Sequence, residues 1–197
     1  MQMSGEDRGG THVCPWWVGY LLASPLRRLW ESPGRLLGEH VRGGMTVLEV
    51  GPAMGFFTIP AARMVGPGGR VVAVDVQERM IGTLRRRVER AGLSGRVECR
   101  VCDIGSLGVD DLEGKVDLVL LIHVVHEIPD RAGLFDQVRR ALAPGGSVLV
   151  VEPAAHVEHD EFLASIEAAR GAGLEVTRRP RLARRHAAVC QPMGGRQ

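Results

Sequence analysis

Asparagine is absent from this chain of 197 residues, so it offers no N-glycosylation site. Lysine is nearly absent too: Lys115 stands alone among 25 basic side chains. Such an arginine excess matches a GC-rich coding bias and takes weight off arginine counts as evidence of function. Long apolar runs are missing as well. The longest strictly apolar stretch near the middle is Leu118 to Ile122, whereas a membrane-spanning helix needs about 20 such residues. Met1 to Thr11 is polar and partly acidic and lacks the basic-then-apolar order of a secretory signal. The chain therefore reads as cytoplasmic. A net charge of +2 is too small to imply a nucleic-acid partner by itself.

Cysteine is scarce, with Cys14, Cys99, Cys102 and Cys190 the full set. Cys99 and Cys102 make a CxxC, but RVECRVCDI reads as a strand. Positions three apart on a strand face opposite ways, so the pair cannot jointly grip a metal. A disulfide framework is unexpected in a reducing compartment. Cys99, Cys102 and Cys190 are expected to be buried, unreactive thiols.

Hydrophobic residues make up 45% of the chain, enough for the core of one domain. From Met45 onward MTVLEV, RVVAVD, RVECRVCD, VDLVLLI and SVLVVE are short, continuous apolar runs. That is the pattern of parallel strands covered on both faces. Amphipathic stretches lie between them. Met80, Ile81, Leu84, Val88 and Ala91 share one helical face, as do Leu134, Phe135, Val138, Ala141 and Leu142. Phe162, Leu163, Ile166 and Ala169 repeat the pattern. Gly-Pro-rich joints at 66–69 and 144–146 punctuate the alternation. The expected fold is α/β, a Rossmann-like doubly wound, mostly parallel sheet. LEVTRR and RHAAVC, with no helix between them, predict a closing antiparallel pair at one edge. The expected organisation is a tail and helical lid over 1–35, a core over 36–191 and a tail over 192–197. Half of the eight aromatics, Trp16, Trp17, Tyr20 and Trp30, fall in the N-terminal helical extension.

The strongest motif is VLEVGPAMGFFT at 47–58. A strand ends at Val50, a glycine turn follows and a helix is expected to begin near Gly55. In an open α/β sheet, ligands bind at the carboxyl ends of strands near the point where the winding reverses. A nicotinamide fingerprint needs G-x-G-x-x-G. Here Ala53 stands between Gly51 and Gly55, which makes a nicotinamide-dependent oxidoreductase a poor match. Glu49 lies two residues before Gly51, where a carboxylate is awkward for pyrophosphate but suits an ammonium group. Asp75 ends the second strand, 24 residues after Gly51, a spacing at which an acid binds ribose hydroxyls. Asp103 ends the third strand, and a carboxylate there can accept from an adenine amino group. A strand-end acid is often only a helix cap; three in order are more specific.

These segments resemble class I S-adenosylmethionine-dependent methyltransferases. VLEVGPAMG looks like the family's glycine-rich first motif, VVAVDV its second, VCDI its third and DLVLLIHVVHEI its fourth. LAPGGSVLVVEP resembles the helix-to-strand turn before the fifth strand. The resemblance covers roughly Leu36 to Gln191 and departs at Ala53, where the family usually has its middle glycine. It implies S-adenosyl-L-methionine as cofactor, with Glu49, Gly51, Ala53 and Gly55 around its methionine portion. By the same resemblance Asp75 and Val76 meet the ribose, flanked by Gln77 or Met80. Asp103 and Ile104 meet the adenine, and Ile122 and His123 lie beside the sulfonium. It also implies that the N-terminal extension covers the acceptor site.

Methyl transfer needs an in-line acceptor and, for some acceptors, a general base. IHVVHEIPD places His123, His126 and Glu127 just past the fourth strand, and histidine titrates near neutrality. His126 and His123 are the candidate bases; Glu127 reads as a loop or helix-start residue. Glu152 ends the fifth strand at the same edge. The expected acceptor pocket is bounded by Trp16, Trp17, Tyr20, His126 and Glu152, against the plainer reading of a docking helix that buries its aromatics. His123, His126, Glu152 and His156, with His12 and Cys14, follow no recognised metal spacing, so no metal is expected. The five arginines between Arg178 and Arg185 are read as a solvated turn. The favoured function is methyl transfer to a small-molecule acceptor, in a branch resembling quinone and arsenite methyltransferases. The rivals are an RNA or protein methyltransferase using Arg178–Arg185, and a non-catalytic cofactor- or metal-binding module.

Overall fold

The computed structural model describes residues 32–194. Ser32 caps the first helix, α1 (Pro33–Gly38), its side chain accepting from the Arg35 N–H. The chain then runs β1 (Thr46–Val50), α2 (Thr58–Met64), β2 (Arg70–Asp75), α3 (Glu78–Arg90), β3 (Val97–Val101) and β4 (Val116–Ile122). It closes with α4 (Arg131–Ala141), β5 (Leu142–Pro153), α5 (His159–Gly171), β6 (Leu174–Arg178) and β7 (Arg185–Pro192). Single 3-10 turns cover Asp110–Leu112 and Val125–Glu127.

The seven strands form one sheet in the order β3-β2-β1-β4-β5-β7-β6. The first five in chain order pair in parallel, and β7 pairs antiparallel with both β5 and β6. The expected doubly wound sheet and its antiparallel edge pair are both present. The helical extension expected ahead of residue 32, including Trp16, Trp17, Tyr20 and Cys14, lies outside the described residues.

Alternation along each strand sends apolar side chains to two cores. Val47, Val71, Leu118, Leu120 and Leu149 meet α1, α2 and α3 through Leu37, Ala61, Ile81 and Leu84. Leu48, Val72, Val119, Leu121 and Val148 meet α4 and α5 through Phe135, Val138, Phe162 and Ile166. Burial on both faces explains why the strands read as unbroken apolar runs. The α5 face differs from expectation by one position: Leu163 is 38% exposed and Ser165 is buried in its place. The Ser165 hydroxyl satisfies itself on the Glu161 carbonyl, which makes a serine tolerable there.

The helix expected near Gly55 begins at Thr58 instead. Gly51, Ala53 and Gly55 all have positive φ, at 67°, 48° and 86°, which no α-helix accommodates. The Pro144–Gly146 joint lies inside β5: the strand starts at Leu142 opposite Val116, then the pairing jumps to Ser147 opposite Leu118, and Gly145 turns the bulged segment at φ 79°.

β1 lies between β2 and β4, so the chain winds outward in one direction through β2 and β3, then reverses to β4 and β5. The turn after β1 and the turn after β4 are therefore adjacent at the carboxyl edge, where ligands of such sheets bind.

Candidate active site

The turn from Gly51 to Phe57 is held from three sides. The Gly51 N–H donates to the Val74 carbonyl at 3.0 Å. Val124, past the end of β4, approaches so closely that any side chain at position 51 would collide with it. From α3, the Arg87 guanidinium donates to the Met54 carbonyl at 2.5 Å. Ala53, at φ 48°, occupies a left-handed backbone that favours glycine. Across the reversal point His123 is also left-handed, at φ 59°, and its N–H is anchored on the Val151 carbonyl.

A cavity of about 270 Å³ opens between these turns. Gly51, Ala53, Asp75, Val76, Gln77, Met80, Asp103, Ile104 and His123 stand on its wall. Glu49, Gly55, Ile122, His126 and Glu152 do not. The structure thus brings most of the expected cofactor residues to one space and places His126 and Glu152, the expected acceptor residues among those described, outside its wall.

Asp75 is nearly buried at the end of β2, and burial pushes its carboxyl up to about 6. Backbone N–H groups, led by that of Gln77 at 2.9 Å, pull the other way. Glu49 sits deeper, 3% exposed, and burial raises it to about 7, with the Asp75 charge adding to the rise. The Thr58 hydroxyl is close enough to oppose that rise but outside hydrogen-bond geometry. Glu49 Oε2 has no hydrogen-bond partner among the described residues.

At the opposite end, the loop after β3 carries Asp103 and the exposed Ile104. Gln137 of α4 ties this loop down, accepting from the Leu107 N–H at 2.8 Å and donating to the Gly105 carbonyl at 3.0 Å. Arg100 adds a second tie, with one N–H on the Gly108 carbonyl and a bidentate pair on Asp111. Gln137, Glu127 and Cys102 all line the cavity without having been singled out for it. Gln137 left one trace, a polar residue beside the apolar stripe of α4. Glu127 looked like a plain loop residue.

Cys102 departs from expectation because β3 ends at Val101, so it lies past the strand and half-buried. Burial pushes its thiol up to about 11, which keeps it protonated at neutral pH. Cys99 and Cys102 do pack against opposite cores. Among the described residues no group of three His, Cys, Asp or Glu is placed to hold a metal ion.

Beyond the cavity wall, His126 Nδ1 lies 2.5 Å from Glu152 Oε2. Glu152 is fully buried, and its Oε1 accepts from the Val125 N–H at 2.8 Å. The hydrogen bond that His126 makes to the Glu152 carboxylate raises the His126 pKa above its usual value, against the effect of partial burial. Arg178 ends β6 and Arg185 opens β7, with Arg179, Arg181 and Arg184 in the turn between them, and Arg178 pairs with Glu39 at the surface.

Residues 42–177 match the family described as a methyltransferase domain. The chain belongs to that family. Its fold is that of class I S-adenosylmethionine-dependent methyltransferases. A solved S-adenosylmethionine-dependent methyltransferase from Aquifex aeolicus superimposes with a TM-score of 0.81, at 22% identity, over 90% of this chain and 98% of that one. An arsenite methyltransferase of Halobacterium salinarum is 38% identical over 54% of this chain and 27% of its own length. A ubiquinone/menaquinone biosynthesis C-methyltransferase of Pseudomonas fluorescens is 32% identical over 67% of this chain and 50% of its own. The chain spans half or less of either curated relative. Among the described residues no helix is long and apolar enough to cross a membrane.

Proposed function

We propose that this protein transfers a methyl group from S-adenosyl-L-methionine to a small-molecule acceptor. The observation that carries the reading is the convergence of the Gly51–Ala53 turn, Asp75, Asp103 and His123 on one cavity at the reversal point of the sheet. When bound, the cofactor supplies an electrophilic methyl on a sulfonium.

The residues present fit that group. Glu49 offers a buried carboxylate oxygen with no partner among the described residues, suited to a cationic group beside it. Asp75 offers acceptor oxygens to a ribose diol, and Asp103 offers them to an exocyclic amine. The bare backbone at Gly51 admits close approach. Met80 and Val76 supply apolar walls.

A cavity of about 270 Å³ falls just below the usual range for a single small ligand, about 300–1,000 Å³. The acceptor therefore belongs beside it, past the ends of β4 and β5, where His126 stands half-buried. His126 takes a proton from the acceptor as its lone pair bonds to the methyl carbon. With the cofactor bound, the methyl would be released with the bonding pair kept on sulfur, so that S-adenosylhomocysteine would be the product. The relatives motivate arsenite and a demethylated quinone as probe acceptors.

Calorimetry with S-adenosylhomocysteine, NAD and zinc in parallel tests the reading. S-adenosylhomocysteine should bind and NAD should not, and Asp75→Ala should weaken the first at least tenfold. His126→Ala should spare binding and slow turnover. A folded chain that ignores S-adenosylhomocysteine at millimolar concentration overturns the proposal.

A further inference from the structure

Glu152 was expected at the acceptor pocket wall. Its position argues for another role. It is fully buried at the end of β5, and both carboxylate oxygens are engaged by the segment after β4, one by the Val125 N–H and one by His126 Nδ1. We infer that Glu152 is a positioning residue: it fixes His126 as the Nδ1–H tautomer and so makes Nε2 the proton-accepting atom. This rests on the reading of His126 as the base.

The argument is one of donors and acceptors. An ionised carboxylate only accepts. A buried carboxylate without donors is strongly disfavoured, since even a neutral polar group buried without a partner is costly. The peptide N–H of Val125 supplies one donor. The imidazole must supply the other, so Nδ1 carries the proton. In the neutral ring Nε2 is then left with its lone pair. Among the described residues it faces Glu127 Oε1 at 3.9 Å, too far for a hydrogen bond, so Nε2 is not spent on that carboxylate.

Glu127 also lines the cavity. The row Glu152–His126–Glu127 therefore runs from the buried sheet end to the cavity wall. Each charged group facing His126 favours its cation: Glu152 from β5, Glu127 from its own turn and Glu161 from α5. Glu161 is itself shared with Arg131 of α4, at 2.6 Å. The imidazolium formed when Nε2 takes a proton would be stabilised by a fixed anion that need not move, the logic of a carboxylate-oriented histidine.

The test is a nitrogen-15 histidine titration by NMR on the full chain without added ligand. The His126 signals are identified by their loss in His126→Ala. Wild type should show the Nδ1–H tautomer at high pH and a titration above the free imidazole value of about 6.5. Glu152→Gln keeps the size and can still accept from Val125, but removes the charge. It should lower the His126 titration and, because its amide NH2 then faces Nδ1, move the neutral ring toward the Nε2–H tautomer. S-adenosylhomocysteine binding by calorimetry should stay within about twofold. An unchanged titration and tautomer in a folded Glu152→Gln overturns the inference. If that variant does not fold, wild type decides alone, since an Nε2–H tautomer overturns it too. Failure of wild type to bind S-adenosylhomocysteine would sink the proposed function, while the titration would still judge the tie between Glu152 and His126.

Discussion

Gly51 and Val124 approach so closely that a Cβ built on Gly51 would fall 2.6 Å from Val124 Cγ2. The contact joins the turn after β1 to the turn after β4, the two walls of the reversal point. Gly51 also has φ 67°, so a larger residue meets two separate penalties. Gly51→Ala should cost about 2–4 kcal/mol, from overpacking and left-handed backbone together. Adding Val124→Ala removes the Cγ2 contact but leaves Cβ 3.1 Å away, so it should return most of the steric part and none of the backbone part. Denaturant unfolding of the single and double variants checks this; full recovery in the double variant would mean the backbone penalty is absent.

Ala53 makes the opposite case. It occupies φ 48° with a Cβ, at a cost of about 1–2 kcal/mol relative to an unstrained residue. Ala53→Gly removes that strain but loosens the unfolded chain by about 0.4–1 kcal/mol. The expected net effect is a gain of up to about 1 kcal/mol, with S-adenosylhomocysteine binding undiminished. Thermal unfolding and calorimetry on the same preparation measure both.

Glu49 and Asp75 make the stability of the unliganded protein depend on pH. Their folded pKa values, about 7 and about 6, lie above the ordinary 4.5 and 3.8. The folded state therefore holds these protons more tightly than the unfolded state. Their contribution is complete below about pH 4 and is lost as pH rises through 6 to 7. Glu49→Gln stays neutral throughout, so its melting temperature relative to wild type should climb between pH 4 and pH 7.5. A difference that stays flat across that range would show that Glu49 is not strained by burial.

Gln137 should matter more to binding than to folding. Its amide serves the Leu107 N–H and the Gly105 carbonyl, 30 and 32 residues away, and among the described residues no other side chain of α4 hydrogen-bonds to that loop. Gln137→Leu leaves both groups to water, costing the fold about 1 kcal/mol. The loop carrying Asp103 is then no longer pre-ordered, and S-adenosylhomocysteine affinity should fall about tenfold, equivalent to about 1.4 kcal/mol. Equal affinity in the variant would remove Gln137 from the binding machinery.

Much of this protein was legible in the chain because its strands are covered on both faces. Apolar runs such as VDLVLLI announce parallel strands wherever they occur, and residues that follow a strand end must appear at the sheet edge. The order of Glu49, Asp75 and Asp103, and the absence of a helix between LEVTRR and RHAAVC, needed only local rules. What local rules could not reach were contacts between distant turns. The late start of α2 at Thr58 follows from a backbone bent by three left-handed residues. Cys102 escaped β3 because that strand stops at Val101. The grip of Glu152 on His126 spans 26 residues and depends on β4 and β5 lying side by side. Periodicity determined which residues are inside and which strand ends carry acids; only the packed sheet decided which of those polar groups meet, because a buried donor or acceptor takes its partner from whatever the fold places within about 3 Å.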